Sequence, residues 1–103
     1  MNNKPAHKVL ERLEAALDEY EPGYANPEAI RDFGRLLKEL TDSTDAPTNL
    51  LTEKIGSIRE LIGVLYSPRK HQRRGGVEQV MSFIRQDLSS LRIIVERGRK
   101  RSV

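Results

Sequence analysis

The sequence predicts an all-α protein: a four-helix antiparallel bundle (up-down-up-down) with a basic C-terminal tail. Apolar residues recur at spacings of three and four in four separate segments, which is the period of an amphipathic helix. Proline, glycine and polar residues separate these segments, and none shows the alternation typical of a β-strand. The chain has 103 residues, enough for one domain. We expect that domain over residues 1–97 and a flexible basic tail over residues 98–103.

The first two predicted helices each carry one apolar stripe. The first runs from about Pro5 to Tyr20 and ends at Pro22-Gly23, because proline cannot continue a helix and glycine adopts turn geometry easily. The second starts at Asn26-Pro27, where asparagine suits the N-cap and proline the first helical position. The stripes are Val9, Leu10, Leu13, Ala16, Leu17 and Tyr20, then Ile30, Phe33, Leu36, Leu37 and Leu40.

The third predicted helix covers about Asn49 to Tyr66, after a polar loop. Its stripe is Leu51, Ile55, Ile58, Ile62 and Leu65, widened by Leu50 and Leu61. Gly56 and Gly63 lie seven residues apart on one side of this helix, and each costs about 1 kcal/mol relative to alanine. Either a neighbouring helix approaches closely there, or these are simply two weak helix positions.

The fourth predicted helix runs from about Val77 to Glu96 with a near-heptad stripe, and residues 97–103 trail off as a frayed basic tail. The stripe is Val77, Val80, Met81, Ile84, Leu88, Leu91 and Val95. Further apolar residues lie off the stripes of the third and fourth helices, and they predict a protein interface or a homodimer face. The predicted interface residues are Val64, Tyr66, Phe83, Ile93 and Ile94.

Composition excludes several classes of protein. The chain has no cysteine, so disulfides, thiolate metal sites and cysteine catalysis are excluded. We find no apolar run of signal-peptide type and no stretch near the roughly 18 apolar residues of a membrane span. We therefore expect a cytoplasmic protein, or a nuclear one in a eukaryotic cell, without a membrane partner.

Charge is distributed unevenly along the chain. Residues 1–66 hold 8 Lys and Arg against 12 Asp and Glu, or −4, whereas residues 67–103 hold 10 against 3, or +7. This asymmetry suggests an anionic partner for the second half. The alternative is that the acidic and basic halves attract each other within the fold, with Glu19 and Glu21 neutralising the basic loop.

The densest cluster of positive charge is the decapeptide SPRKHQRRGG, residues 67–76, which we call the basic segment. Together with arginines along the fourth helix and in the tail, it could form one basic edge that follows a nucleic-acid backbone by phosphate contact. No aromatic residue lies in either cluster, so base stacking is not predicted and sequence specificity should be low. The predicted contact residues are Arg69, Lys70, Arg73, Arg74, Arg85, Arg92, Arg97, Arg99, Lys100 and Arg101.

Candidate catalytic groups are sparse. His7 and His71 have no predictable nucleophile or metal-ligand partner, so no zinc signature is present. Two carboxylate patterns, E-x-x-E at Glu11 and Glu14 and E-x-x-D at Glu39 and Asp42, resemble the magnesium site of the all-α nucleotide pyrophosphohydrolases. That resemblance implies several carboxylates holding Mg²⁺ against a triphosphate.

Helical register argues against such a site. At about 100° per residue, all four carboxylates point away from the apolar stripes. The first helix instead presents a solvated acidic face of Glu11, Glu14, Asp18 and Glu21. We expect no catalysis, no cofactor, no metal and no small-molecule substrate.

Overall fold

The computed structural model describes the backbone of residues 4–44 and 49–101 and the side chains of residues 6–44 and 49–96. Within these ranges the chain forms four α-helices and no strand, which confirms the predicted all-α class: α1 Lys4–Glu19, α2 Pro27–Asp42, α3 Asn49–Leu65 and α4 Val77–Arg101. A short 3-10 helix, Lys70–Arg74, lies between α3 and α4. None of the described helices has the length and apolar character needed to cross a bilayer.

The fourth helix is longer than predicted. The sequence places its end at about Glu96, whereas its backbone continues to Arg101. Residues 98–101 of the predicted tail are therefore part of α4. A helix end marked only by a change from apolar to basic residues is difficult to place, because lysine and arginine are good helix formers.

Each helix packs against two others around a single core. Over the described residues, the backbone of α1 lies close to those of α2 and α4, and the backbone of α3 lies close to the same two, whereas α1 and α3, like α2 and α4, lie diagonally across the core. The apolar stripes of all four helices meet at the centre. This arrangement exposes the outer face of every helix, so that each can carry a binding surface.

The predicted stripes supply most of the core, with two errors. Ile30 and Leu50 are exposed, although both were predicted to face inward. Ala29 is fully buried where Ile30 was expected. Both residues whose burial was wrongly predicted lie in the first turn of a helix, next to a residue that faces inward. One step along a helix turns the side-chain direction by about 100°, so the inward residue is easily misassigned there.

The connection between α1 and α2 is fixed to the end of α3. Asn26 caps α2 as predicted, because its side-chain oxygen accepts a hydrogen bond from the Ala29 N–H at 3.1 Å. The Gly23 N–H donates to the Leu65 carbonyl at 2.9 Å, and Gly23 has a φ of +90° that favours glycine. The Tyr66 hydroxyl donates to the Tyr20 carbonyl at 3.2 Å. The α1–α2 connection therefore lies next to the start of the basic segment.

Candidate nucleic-acid interface

The basic segment forms a tight, internally bonded turn. The Ser67 Oγ accepts the Lys70 N–H at 3.3 Å, which starts the 3-10 helix. The Gly76 N–H donates to the His71 carbonyl at 2.8 Å. Gly75 and Gly76 both have positive φ, near +90°, so this glycine pair is what allows the chain to reverse into α4.

Three cations of this turn are exposed and free of carboxylate partners. Arg69, Lys70 and Arg73 are exposed, and none forms an ion pair with any described carboxylate. Arg74 differs, since its Nη2 lies 2.9 Å from Glu60 Oε1 of α3. The alternative interpretation named Glu19 and Glu21 as the residues that neutralise the basic loop, and neither is ion-paired in the described part of the chain.

The arginines predicted to extend the basic edge along α4 are paired with α1. Arg85 Nη2 lies 3.3 Å from Asp18 Oδ1, and Arg92 Nη2 lies 2.7 Å from Glu14 Oε1. A phosphate at either position would compete with a carboxylate. At these two pairs the acidic and basic halves of the chain do attract each other, as the alternative interpretation held. The pairs interrupt the basic edge that was predicted along α4.

The remaining predicted contact residues are Arg97, Arg99, Lys100 and Arg101. Their backbone belongs to α4, but their side chains lie outside the described residues. Their role in nucleic-acid contact stays a prediction.

Three exposed cations that the sequence analysis did not single out lie on α2 and α3. Arg31, Lys38 and Arg59 are exposed, and no described carboxylate is ion-paired with them. They are dispersed along the acidic first half of the chain, so a search for charge runs passes over them. Helical register could have found them, since Arg31 and Lys38 lie seven residues apart on one side of α2.

The predicted protein interface is only partly exposed. Phe83 is 40% exposed and Ile93 is 50% exposed, as expected, whereas Ile94 is partly buried against the core. Val64 and Tyr66 were predicted at this surface but belong to the core, with exposed fractions of 7% and 2%. The prediction that these two residues are exposed is wrong, because the buried face of α3 is wide enough to include Val64 and the chain next to it.

Tyr66 is buried by an aromatic cluster rather than by the stripe alone. Its ring centroid lies 5.9 Å from that of Phe33 and 6.4 Å from that of Tyr20. Burial raises the pKa of Tyr66 to about 12. The cluster joins the end of α1, the start of α2 and the end of α3 beneath the basic segment.

The outer side of α4 is free of charge over several turns. Arg85 and Arg92 lie on the side of α4 that faces α1. Six exposed residues between that side and the side facing α3 are uncharged, although charged residues make up 32% of the chain. They are Gln79, Ser82, Phe83, Gln86, Ser89 and Ile93. Loss of charge around exposed apolar side chains is typical of the centre of a protein interface.

The groove between α1 and α2 holds charges that compensate each other. It encloses about 450 Å³. Arg12 Nη1 lies 3.3 Å from Glu39 Oε2, and Arg35 Nη2 lies 3.4 Å from Asp32 Oδ1. The Tyr20 hydroxyl donates to Asp32, and this hydrogen bond, with smaller contributions from burial and nearby carboxylates, raises the pKa of Tyr20 to about 12. These contacts connect the α1 and α2 sides of the groove. Because Tyr20 stays protonated and the carboxylates are ion-paired with arginines, the groove offers no acid–base pair suited to catalysis.

The carboxylates of the pyrophosphohydrolase-like pattern are dispersed. Glu14 pairs with Arg92 of α4 and Glu39 with Arg12 of α1. Within the described ranges, no group of three or more histidine, aspartate or glutamate side chains is arranged to hold a metal ion.

Comparison of the chain with protein-family models, with curated proteins and with solved structures gives no match. The function is therefore inferred from the geometry of the chain itself.

Proposed function

We propose that the chain is a non-catalytic nucleic-acid-binding protein that contacts backbone phosphates through Arg69, Lys70 and Arg73. The observation that carries this proposal is the exposure of these three cations, without a carboxylate partner among the described residues, on a hydrogen-bonded turn. An unpaired guanidinium can bind two phosphate oxygens without first losing another ion pair.

The proposed contact differs from the predicted one along α4. We leave out Arg85 and Arg92, because a phosphate would have to displace Asp18 and Glu14 from them. The cluster Arg97, Arg99, Lys100 and Arg101 remains in the proposal as a second contact, a basic tail at the other end of α4. Phosphate contact of this kind carries little sequence specificity.

The proposal uses an up-down-up-down, antiparallel arrangement of the helices. Two sets of contacts support this arrangement, because in each set the residue numbers rise along one helix while those of their partners fall along the other. Arg12 of α1 bonds Glu39 of α2, and Tyr20, the residue after α1, bonds Asp32 of α2. Glu14 and Asp18 of α1 likewise bond Arg92 and Arg85 of α4. The cytoplasm, where nucleic acid is accessible, is the proposed location.

The test is a fluorescence anisotropy titration of labelled duplex DNA and RNA at 50 and 200 mM salt. Three phosphate contacts predict a loss of affinity of at least about 40-fold across that range. The variant R69A/K70A/R73A should reduce the magnitude of the slope of log affinity against log salt by about 2.7, three contacts at about 0.9 each, whereas R85A/R92A should change it by less than one. No binding by the unmodified chain at 50 mM salt would overturn the proposal.

A second candidate function, binding of a protein partner or a second copy, is favoured by the uncharged outer side of α4. Phe83 and Ile93 supply exposed apolar area there, beside the uncharged Ser82, Gln86 and Ser89. An interface of this composition should tolerate salt. Sedimentation of the chain alone and affinity capture with Phe83→Asp and Ile93→Asp test it, with Leu50→Asp on α3 as a matched exposed control.

A further inference from the structure

The outer side of α2 carries two cations, next to a glycine at the edge towards α3. Asp32 bonds Tyr20 and Glu39 bonds Arg12 of α1, and these two carboxylates mark the edge towards α1. The backbone of α2 lies close to those of α1 and α3 among the described helices, so its other edge borders α3. Gly34 lies at that edge and Arg31 and Lys38 lie beside it on the exposed outer face, at spacings of three and four, so they form one row.

The edge of α3 that lies towards α2 has the reverse pattern. Lys54 and Ser57 bond Asp87 of α4 and mark the opposite edge. On the α2 side lie Gly56, Arg59 and Gly63, again at spacings of three and four. With α2 and α3 antiparallel neighbours, the cation–glycine–cation row of α2 therefore runs alongside a glycine–cation–glycine row of α3.

The three glycines leave the surface open between the cations. A Cβ atom added at Gly34, Gly56 or Gly63 would meet no side chain and no other helix within 4 Å. The close helix approach considered for Gly56 and Gly63 is therefore absent, and intramolecular packing does not require either glycine. An extended ligand could reach the helix surface at these points.

We propose that the α2–α3 seam, the surface formed by Arg31, Lys38 and Arg59 around Gly34, Gly56 and Gly63, binds backbone phosphates of a nucleic-acid duplex. This inference rests on the proposed function and extends its contact away from the basic segment along α2 and α3. Neither row contains a carboxylate between its first and last cation or glycine, although the half of the chain that holds them has a net charge of −4, from 8 basic and 12 acidic residues. The exposed Asp42, four residues beyond Lys38, ends the α2 row.

The dimensions suit a polyanion of regular spacing. Arg31 and Lys38 are seven residues apart, which is about 10 Å along a helix. That distance corresponds to about three base-pair steps along the axis of B-form DNA, at about 3.4 Å each. The seam begins near the end of α3, since the Gly23 N–H bonds the Leu65 carbonyl there. Phosphates on the seam and on the basic segment can therefore belong to one strand.

A duplex fits the seam better than a single strand. Single-strand binding uses exposed aromatic rings on which bases stack. Neither row contains an aromatic residue. Tyr66, next to the end of α3, is buried, and the exposed ring of Tyr24 belongs to the α1–α2 connection, outside both rows. Contacts from three cations without stacking groups are typical of backbone binding.

The test compares two triple variants that remove the same charge. R31A/K38A/R59A removes the unpaired cations of the seam, and R12A/R85A/R92A removes three arginines that are ion-paired to carboxylates. Anisotropy titrations of a labelled 24-base-pair duplex at salt concentrations from 50 to 200 mM give the slope of log affinity against log salt. Circular dichroism checks that each variant is helical.

The seam variant should reduce the magnitude of this slope by about 2.7, three contacts at about 0.9 each, while the control changes it by less than one. Equal effects of the two variants would mean that net charge alone matters, which overturns the seam and leaves the proposed function standing. The same holds if the seam variant keeps the original slope. No binding by the unmodified chain overturns both.

Discussion

Asp87 is the least exposed carboxylate among the described ion pairs, with 13% of its side chain accessible. It accepts the Ser57 hydroxyl at 2.7 Å and lies 3.5 Å from Lys54 Nζ. Asp87→Ala leaves a partly buried hydroxyl and ammonium without their partner. We expect a loss of about 1–3 kcal/mol in the free energy of unfolding, measured by urea denaturation.

Asp18→Ala is the matched control for this prediction. Its carboxylate pairs with Arg85 but is 75% exposed, so its removal should cost about 1 kcal/mol or less. Equal losses for the two variants would mean that burial does not strengthen the Asp87 contacts.

Tyr20 and Tyr66 predict how stability responds to alkaline pH. The hydrogen bond to Asp32 raises the pKa of Tyr20 to about 12, and burial raises the pKa of Tyr66 to about 12. In the unfolded chain both should lose their protons near pH 10. Their stabilising contribution is therefore complete below pH 10 and is lost as the pH rises towards 12.

Thermal melts between pH 8 and 11.5 check this expectation. The fall in melting temperature should be shallower in Tyr20→Phe and Tyr66→Phe than in Tyr24→Phe, whose ring is exposed. Lysine titration contributes the same background to all three variants. Parallel curves for the three would contradict the assignment.

At the scale of single helices, glycine has opposite effects at two kinds of position. Gly56 and Gly63 lie inside α3 with open space around them, so alanine there should stabilise the protein by about 1 kcal/mol each. Gly75 has a φ of +91°, and its Cβ would lie 2.9 Å from Gln79 Cγ. Gly75→Ala should therefore destabilise by more than about 1 kcal/mol, as denaturant titration of the three variants would reveal.

The flank of α3 and the outer side of α4 differ in their tolerance of charge. Val64→Asp buries a carboxylate in the core and should abolish the cooperative unfolding transition. Phe83→Asp changes a side chain that is 40% exposed and should leave a folded helical protein. Circular dichroism melts distinguish the two, and equal loss of folding would mean that Phe83 also belongs to the core.

The helices could be predicted because their signals are local. The apolar stripes and the Asn26 cap need only the neighbouring residues, and they are confirmed. Single residues at helix starts, such as Ile30, could not be assigned, because the inward face changes with one step in register. The burial of Val64 and Tyr66 depends on which helices surround α3, and local periodicity does not contain that information.

At the scale of the whole molecule, some parts of the candidate site could likewise be predicted from local sequence and others could not. The basic segment could be predicted, since its cations are consecutive in sequence. The pairing of Arg85 and Arg92 with Asp18 and Glu14 could not, because it depends on α1 lying beside α4. The seam cations were missed for the same reason, since their grouping appears only when α2 and α3 are neighbours.

The exposed ion pairs of α1 join it to α2 and α4 but should contribute little to stability. Three of these pairs join a carboxylate to an arginine whose side chain is exposed, and the arginines are Arg12, Arg85 and Arg92. The variant R12A/R85A/R92A should therefore lose no more than about 1 kcal/mol per pair. Urea denaturation measures this loss, and a much larger one would mean that these pairs hold α1 in place.

The open glycines of α2 and α3 have a consequence for heat tolerance. In a domain of this size about 1 kcal/mol corresponds to roughly 4–8 °C in melting temperature. Alanine at Gly34, Gly56 and Gly63 together should raise the melting temperature by roughly 12–24 °C without touching the core. The chain thus forgoes a large gain in thermostability at three surface positions. The duplex affinity of the heat-stable variant would measure what that openness provides.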